Sequence, residues 1–306
     1  MILVAGATGS LGRHLVPQLG GIGEPLRAIV RDPGAAAGLD RVEVVKGDVC
    51  DPATLAPAVA GVDTVVCAVS GFGAAGDVSV ESVDRDGTIA LIDAAVAAGV
   101  TDFVLVSVAQ AGPRHPMDLM RAKYAAEQHL KASGMAWTIL RPSLSTETWA
   151  HLIGRPLQKH GKTMVYGRGK QPVNFVSARD VAAFVRLAVS DPAMRNRTFE
   201  LGGPENLTMN EFVKRFSAVT GATGSIGHYP LPVMRILAVA LRLHKQQMAR
   251  HIQAGVYIDT RGLAVDGRAA RREYPALPLT SVDDVFRADY GTAGAPSAAA
   301  AYASPA

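Results

Sequence analysis

The segment Gly6-Ala7-Thr8-Gly9-Ser10-Leu11-Gly12 constrains this chain more than any other. It comes after an apolar run, Met1–Ala5, and opens a stretch with helical apolar spacing. A strand that turns sharply into a helix needs a residue without a Cβ at the turn, and Gly6 supplies it. Gly9 lets the backbone approach a bound group, and Gly12 lets the helix lie close on the strand. Unpaired N–H groups and the positive end of the helix dipole favour an anion at such a turn. The pattern predicts a cradle for a nucleotide pyrophosphate, built from Gly6, Thr8, Gly9, Ser10, Leu11 and Gly12.

The first 140 residues alternate two kinds of segment. Met1–Ala5, Leu26–Val30, Val42–Val45, Thr64–Ala68, Phe103–Ser107 and Trp137–Leu140 are short apolar runs, which predict strands covered on both faces. Ser10–Leu19, Pro52–Val59, Val83–Ala98 and Met117–Ala132 predict helices between them. Strand alternating with helix implies an α/β fold, a doubly wound parallel sheet with helices on both faces. The boundaries expected are a nucleotide-binding domain over 1–142, its core completed by parts of 174–202. A small, mainly helical substrate lobe is expected over 143–290, and a disordered tail over 291–306. In the second part Asn174–Val176 and Thr198–Leu201 predict strands, and Ala178–Val189 a helix. Thr208 with Glu211 reads as a capping box, Leu231–Ala249 as one amphipathic helix, and Ser281 as the start of a short one.

Composition excludes several classes. A chain of 306 residues buries enough surface to fold without a disulfide or a metal, and two cysteines, Cys50 and Cys67, cannot frame one. The net charge of +4 comes without any run of five or six basic residues. Arg268, Arg271 and Arg272, and likewise Arg242, Lys245 and Arg250, are expected to be solvated helix faces rather than nucleic-acid contacts. Leu231–Leu243, the most lipid-like stretch, is too short to span a bilayer and carries Arg235 and Arg242. No charged leader precedes the first apolar run. A soluble, cytoplasmic protein is expected, with no nucleic-acid or membrane partner.

The end of the second strand decides which dinucleotide fits. An acid there accepts from a ribose 2′-hydroxyl, whereas an arginine pairs with a 2′-phosphate. Arg31 stands at that place, with Asp32 next to it, and Arg13 offers a second cation. NADP(H) is therefore expected over NAD(H), with Asp32 the residue that would reverse the choice. Asp48 and Val49, after the third strand, are expected beside the adenine, although Asp48 also suits a cap on the Pro52 helix. Ala68 and Val69, after the fourth, leave room for a dinucleotide to pass.

Taken in order, Gly6–Gly12, Arg31, Gly47-Asp48-Val49, Lys123-x-x-x-Glu127 and Ser133-Gly134-Met135-Ala136-Trp137-Thr138-Ile139-Leu140-Arg141-Pro142 resemble an atypical short-chain dehydrogenase/reductase of the NmrA-like group. Val176-Ser177-Ala178-Arg179-Asp180-Val181-Ala182 and Phe199-Glu200-Leu201-Gly202-Gly203-Pro204 resemble the same group, so the likeness covers about residues 1–220. It implies a Rossmann domain, NADP(H) and a small substrate region. The group holds reductases of isoflavones and lignans, quinone and dye reductases, and regulators that bind the dinucleotide without turnover.

One departure matters. The wider superfamily uses Tyr-x-x-x-Lys, and here Leu119 stands where the tyrosine would be. Tyr124 adjoins Lys123 but points about 100° away around a helix. The resemblance implies that Lys123 holds the nicotinamide ribose and serves as acid/base, as in isoflavone-reductase-like members; the alternative is a surface lysine paired with Glu127. Ser107 aligns with the superfamily's catalytic serine unless the register shifts to Val108. Pro142 and Ser143 match the segment beside the nicotinamide, where the Ser143 N–H would meet the carboxamide.

No metal-ligand spacing and no G-x-S-x-G nucleophile motif is present. The expected function is NADPH-dependent reduction of a small organic substrate (a carbonyl, an activated double bond or a quinone) by a monomer or homodimer. Two alternatives stay open: a dinucleotide-sensing regulator, and an extended-type epimerase or dehydratase that retains its cofactor.

Overall fold

Ile2–Ala5 form β1, and all four residues are buried, as a strand covered on both faces requires. The structure is a computed structural model that describes residues 1–72, 78–241 and 246–291. After β1 come α1 (Gly12–Gly20), β2 (Leu26–Val30), β3 (Val42–Lys46), α2 (Leu55–Val59), β4 (Thr64–Cys67), α3 (Thr88–Ala97), β5 (Asp102–Val106), α4 (Asp118–Ala132) and β6 (Ala136–Pro142). Further on lie β7 (Leu144–Ser145), α5 (Thr146–Trp149), α6 (Arg155–His160), β8 (Lys162–Tyr166), β9 (Val173–Val176), α7 (Ala178–Ser190) and β10 (Arg197–Leu201). The chain continues with β11 (Asn206–Leu207), α8 (Met209–Thr220), β12 (Ser225–Tyr229), α9 (Leu231–Ala240), α10 (Gln246–Arg261), α11 (Ala269–Glu273) and α12 (Val282–Tyr290).

Two units emerge, Met1–Pro142 with Arg179–Phe199, and Ser143–Ala178 with Glu200 onward. The first holds a seven-stranded sheet in the order β10-β6-β5-β4-β1-β2-β3, parallel in every pair from β6 to β3. The order reverses between β1 and β4, where open α/β sheets leave a crevice beyond the carboxyl ends of their strands. Leu3, Val65, Cys67, Leu91, Ile92, Phe103, Leu105 and Ile139 make the core of one face. This is the Rossmann-type α/β sheet that the alternation predicts.

In the second unit β9 lies between β11 and β7, and β8 pairs with β12 in parallel. Phe175, Phe212, Phe216 and Phe286 fill its core, with ring centroids 4.3–5.1 Å apart. Asn174, fully buried, accepts from the Ser143 hydroxyl and Gly203 N–H and donates to the carbonyls of Gly203, Glu205 and Val265. Capping boxes open α8 (Thr208 with Glu211) and α12 (Ser281 with Asp284).

Several expectations need correction. Val42–Lys46 is not buried on both faces: β3 is the sheet's edge, and Val44 is exposed. Helix α1 begins at Gly12 rather than Ser10, since the phosphate-type turn occupies residues 6–11. The stretch Val83–Ala98 opens with a π-helical turn, Glu81–Gly87, before α3. Leu231–Ala249 is not one helix but α9 and the start of α10, with 242–245 outside the described residues. Arg271 is no solvated residue; it is buried and donates to the carbonyls of Gly202, Gly267 and Pro278. The tail expected to be disordered lies, from 292, outside the described residues.

Candidate functional site

Gly6 has φ +95°, and a Cβ there would fall 2.6 Å from the Ala68 carbonyl oxygen. At Gly12 a Cβ would fall 2.3 Å from the carbonyl oxygens of Gly6 and Ala7. Both glycines are therefore demanded by the turn itself. Gly9 is different: its φ is ordinary, and the nearest atom to an added Cβ is the Gly6 oxygen at 3.3 Å. The turn confines that position less than the other two, since a Cβ there would be tight against one backbone oxygen rather than driven into it, whereas a group lying over it would exclude a Cβ altogether. The N–H groups of Ser10 and Leu11 have no partner among the described residues, while Gly9 donates to Gly6 and Arg13 to Gly9. This is a cradle that a Cβ would fill, and it fits a pyrophosphate.

A cleft of about 180 Å³ opens over the cradle, walled by Gly6, Thr8, Gly9, Arg31, Asp48, Val49, Ala68 and Val69, among others. It brings together residues from the ends of four strands. Arg31 is exposed and borders the cleft, just beyond β2. Asp32 is turned elsewhere: its Oδ1 accepts from the Gly34 N–H at 2.9 Å and caps a short 3-10 turn. Asp48 borders the cleft while accepting from the Cys50 N–H at 2.9 Å; the Pro52 turn is capped by Asp51 instead. Arg13 is exposed and is not part of the cleft wall. Cys50, partly covered, has its thiol pushed up by burial and by the nearby Asp48 carboxylate.

Lys123 projects from α4 into the interior, where it is only 3% exposed. Its Nζ donates to the carbonyl of Val69 at 2.7 Å and that of Val106 at 3.2 Å, and stands 3.0 Å from Asp84 Oδ1. Asp84, fully buried in the π-helical turn, accepts on Oδ2 from the Gly71 N–H at 2.8 Å. The ammonium donates to two carbonyls, and the Asp84 carboxylate faces it as the opposite charge of a buried ion pair. Lys123 is thus neither a surface lysine nor the partner of Glu127.

Glu127, also fully buried, is held by Arg141 through Nε at 2.9 Å and Nη2 at 2.5 Å. The Ser107 hydroxyl donates to the same carboxylate at 2.5 Å, so the serine is tied to this ion pair. Pro142 ends β6 and accepts from the Ala109 N–H. The Ser143 N–H is given to the Leu201 carbonyl and its hydroxyl to Asn174. Sequence reasoning missed Asp84 and Arg141. Asp84 carried a signal nonetheless, as an acid set beside Val80 and Val83 on what becomes a buried helical face.

Fold and cleft together define an α/β protein that binds a dinucleotide. Residues 6–192 match the family model described as NAD(P)H-binding. The NAD(P)H azoreductase of Xenophilus azovorans is 32% identical over 250 residues, covering 81% of this chain and 80% of that protein. The photosystem II assembly factor Ycf39 of a Synechocystis strain is 28% identical over 238 residues, covering 77% and 72%. Among solved structures, the Citrobacter triphenylmethane reductase complexed with NADP(H) superposes with a TM-score of 0.76 at 22% identity, covering 94% of this chain and 99% of that one. The chain belongs to the NAD(P)H-binding family.

Proposed function

We propose that this NAD(P)H-dependent oxidoreductase uses NADPH to reduce a small organic acceptor: a carbonyl, an activated double bond, a quinone or a dye. One observation carries the choice of donor. Arg31 borders the cleft and can meet a 2′-phosphate, whereas Asp32, which would favour a free 2′-hydroxyl, is not part of the cleft wall and holds the Gly34 amide through Oδ1. The Xenophilus relative named an azoreductase, and the Citrobacter neighbour named a triphenylmethane reductase, support a dye-like or quinone-like acceptor.

The bound dinucleotide supplies a hydride; the protein supplies its placement. Ser10 and Leu11 offer N–H groups to the pyrophosphate, Gly9 the room for it, and Asp48 and Val49 a wall for the adenine. We assign Lys123 to holding the end of β4 rather than to proton transfer. It fixes the Val69 carbonyl directly and the Gly71 amide through Asp84, and Val69 is part of the cleft wall. Solvent then provides the proton that completes reduction. We assign acceptor binding to the second unit.

The relative named as an assembly factor favours a second reading, dinucleotide binding without turnover. NADPH oxidation monitored across carbonyls, enones, quinones and azo dyes separates the two. Turnover with any of them supports the reductase. Tight NADPH binding with no oxidation by any acceptor overturns it in favour of the sensor.

A further inference from the structure

Arg31 stands one residue past β2 and borders the cleft. An acid next to a phosphate-binding cation works against it in two ways: it repels the phosphate, and it can pair with the cation itself. Asp32 follows Arg31 directly, yet no ion pair joins the two among the described residues. Its Oδ1 instead accepts from the Gly34 N–H at 2.9 Å, and its backbone is extended, with φ −119° and ψ 110°. That bond and that conformation belong to a capping residue.

The turn it caps, Pro33–Ala36, is fixed from several sides. Pro33 leads the turn and holds its own φ at about −65°. The Ala35 N–H returns to the Asp32 carbonyl at 3.1 Å. Ala36 is buried, and the turn packs on β2 and β3. On the other side of Arg31, the Gly47 N–H donates to the Val30 carbonyl at 2.9 Å. Arg31 is thus a single residue between two fixed points, the pinned Val30 and the capping Asp32. Its charge is felt at the Cys50 thiol, where it offsets part of the upward push from burial. The cation therefore lies toward the end of β3, from which Asp48 and Val49 enter the cleft wall.

We propose that Asp32 is a positioning residue for the 2′-phosphate: by capping the Pro33–Ala36 turn it holds Arg31 at the rim of the cleft, so that an acid at this place serves NADPH rather than NADH. The inference rests on the NADPH reading above, and it reverses the part an acid after the second strand is expected to play. Two effects of the carboxylate compete. Its charge repels a phosphate, but weakly, because Asp32 is exposed and screened by water and salt. Its hydrogen bond fixes the turn, and asparagine caps about as well without the charge, whereas alanine does not cap.

Charge and cap can therefore be separated by substitution. The test measures the dissociation constants of NADPH and NADH by fluorescence titration in wild type, Arg31→Ala, Asp32→Ala, Asp32→Asn and Pro33→Gly. Asp32→Ala is expected to lower the preference for NADPH about fivefold, the worth of one lost cap, although it removes a repelling charge. The loss is expected in NADPH binding alone, with NADH held as in wild type. Asp32→Asn is expected to keep the wild-type preference or exceed it. Pro33→Gly loosens the turn and alters no charge, and it is expected to lower the preference as Asp32→Ala does; it gives the same reading if Asp32→Ala does not fold. A preference that stays level or rises in Asp32→Ala or Pro33→Gly overturns the proposal and leaves the Arg31 reading intact. So does a fall in Asp32→Asn as large as that in Asp32→Ala. A wild type without preference for NADPH, or one whose preference survives Arg31→Ala, overturns that reading and the proposal with it.

Discussion

The ammonium of Lys123 lies 3.0 Å from the carboxylate of Asp84, and neither side chain is accessible to solvent beyond 3%. Removing one member of a buried pair leaves the other charged and uncompensated, which costs about 3–5 kcal/mol. Asp84→Leu and Lys123→Met are each expected to lose stability on that scale in chemical denaturation. The double variant Lys123→Met, Asp84→Leu is expected to recover a large part of it. Strictly additive losses would mean that the two side chains act separately, and would remove the strut role given to Lys123.

The three glycines of the cradle separate folding from binding. Gly6→Ala and Gly12→Ala drive a Cβ into backbone oxygen at 2.6 and 2.3 Å, so both are expected to fold poorly. Gly9→Ala meets nothing closer than 3.3 Å. Its melting temperature is expected to fall much less than theirs while NADPH affinity, measured by fluorescence titration, falls about tenfold or more, the equivalent of one lost hydrogen bond to a charged group. Equal affinity in Gly9→Ala and wild type would place the pyrophosphate elsewhere.

Ser107 donates to Glu127, whose carboxylate is also held by Arg141. Ser107→Ala is therefore expected to cost about 1 kcal/mol of stability and to leave kcat within a few fold of wild type. A drop of about a hundredfold or more in kcat, the range of a lost proton-transfer group, would show that the hydroxyl acts on substrate instead.

Burial raises the Cys50 thiol above its ordinary value, and the neighbouring Asp48 carboxylate adds to the shift. A raised value means less thiolate at a given pH, so iodoacetamide is expected to alkylate Cys50 more slowly than a free thiol near pH 8, the gap closing as pH rises. Cys67, fully buried at the end of β4 and likewise shifted upward by desolvation, is expected to react only after unfolding. Rapid labelling of Cys50 at neutral pH would contradict the geometry.

Much of the fold is legible in the sequence because the strongest signals are local. Apolar runs of strand length and a glycine-spaced turn report on their own neighbourhood, and the buried β1 and the cradle at Gly6–Gly12 arise directly from them. What escapes depends on residues far apart in sequence. Asp84 and Lys123 meet only because α4 packs beside the π-helical turn, and Glu127, four residues from Lys123, turns instead to Arg141 on β6. The edge position of β3 likewise depends on strand order rather than on the strand's own residues. The exposure of Ile236 and Val239 on α9 is hidden for a related reason: helical spacing shows that a face is apolar, not whether anything covers it.

Central to the proposed function is Arg31, reading a 2′-phosphate in a site that delivers a hydride. The most direct test is the ratio of kcat/KM for NADPH to that for NADH, measured with one quinone or azo acceptor in wild type and in Arg31→Ala. Loss of a charge-assisted contact is worth about 1.5–3 kcal/mol, so the wild-type ratio is expected to favour NADPH by about tenfold or more and to collapse toward unity in the variant. A wild type that prefers NADH, or a ratio that survives the loss of Arg31, would contradict it.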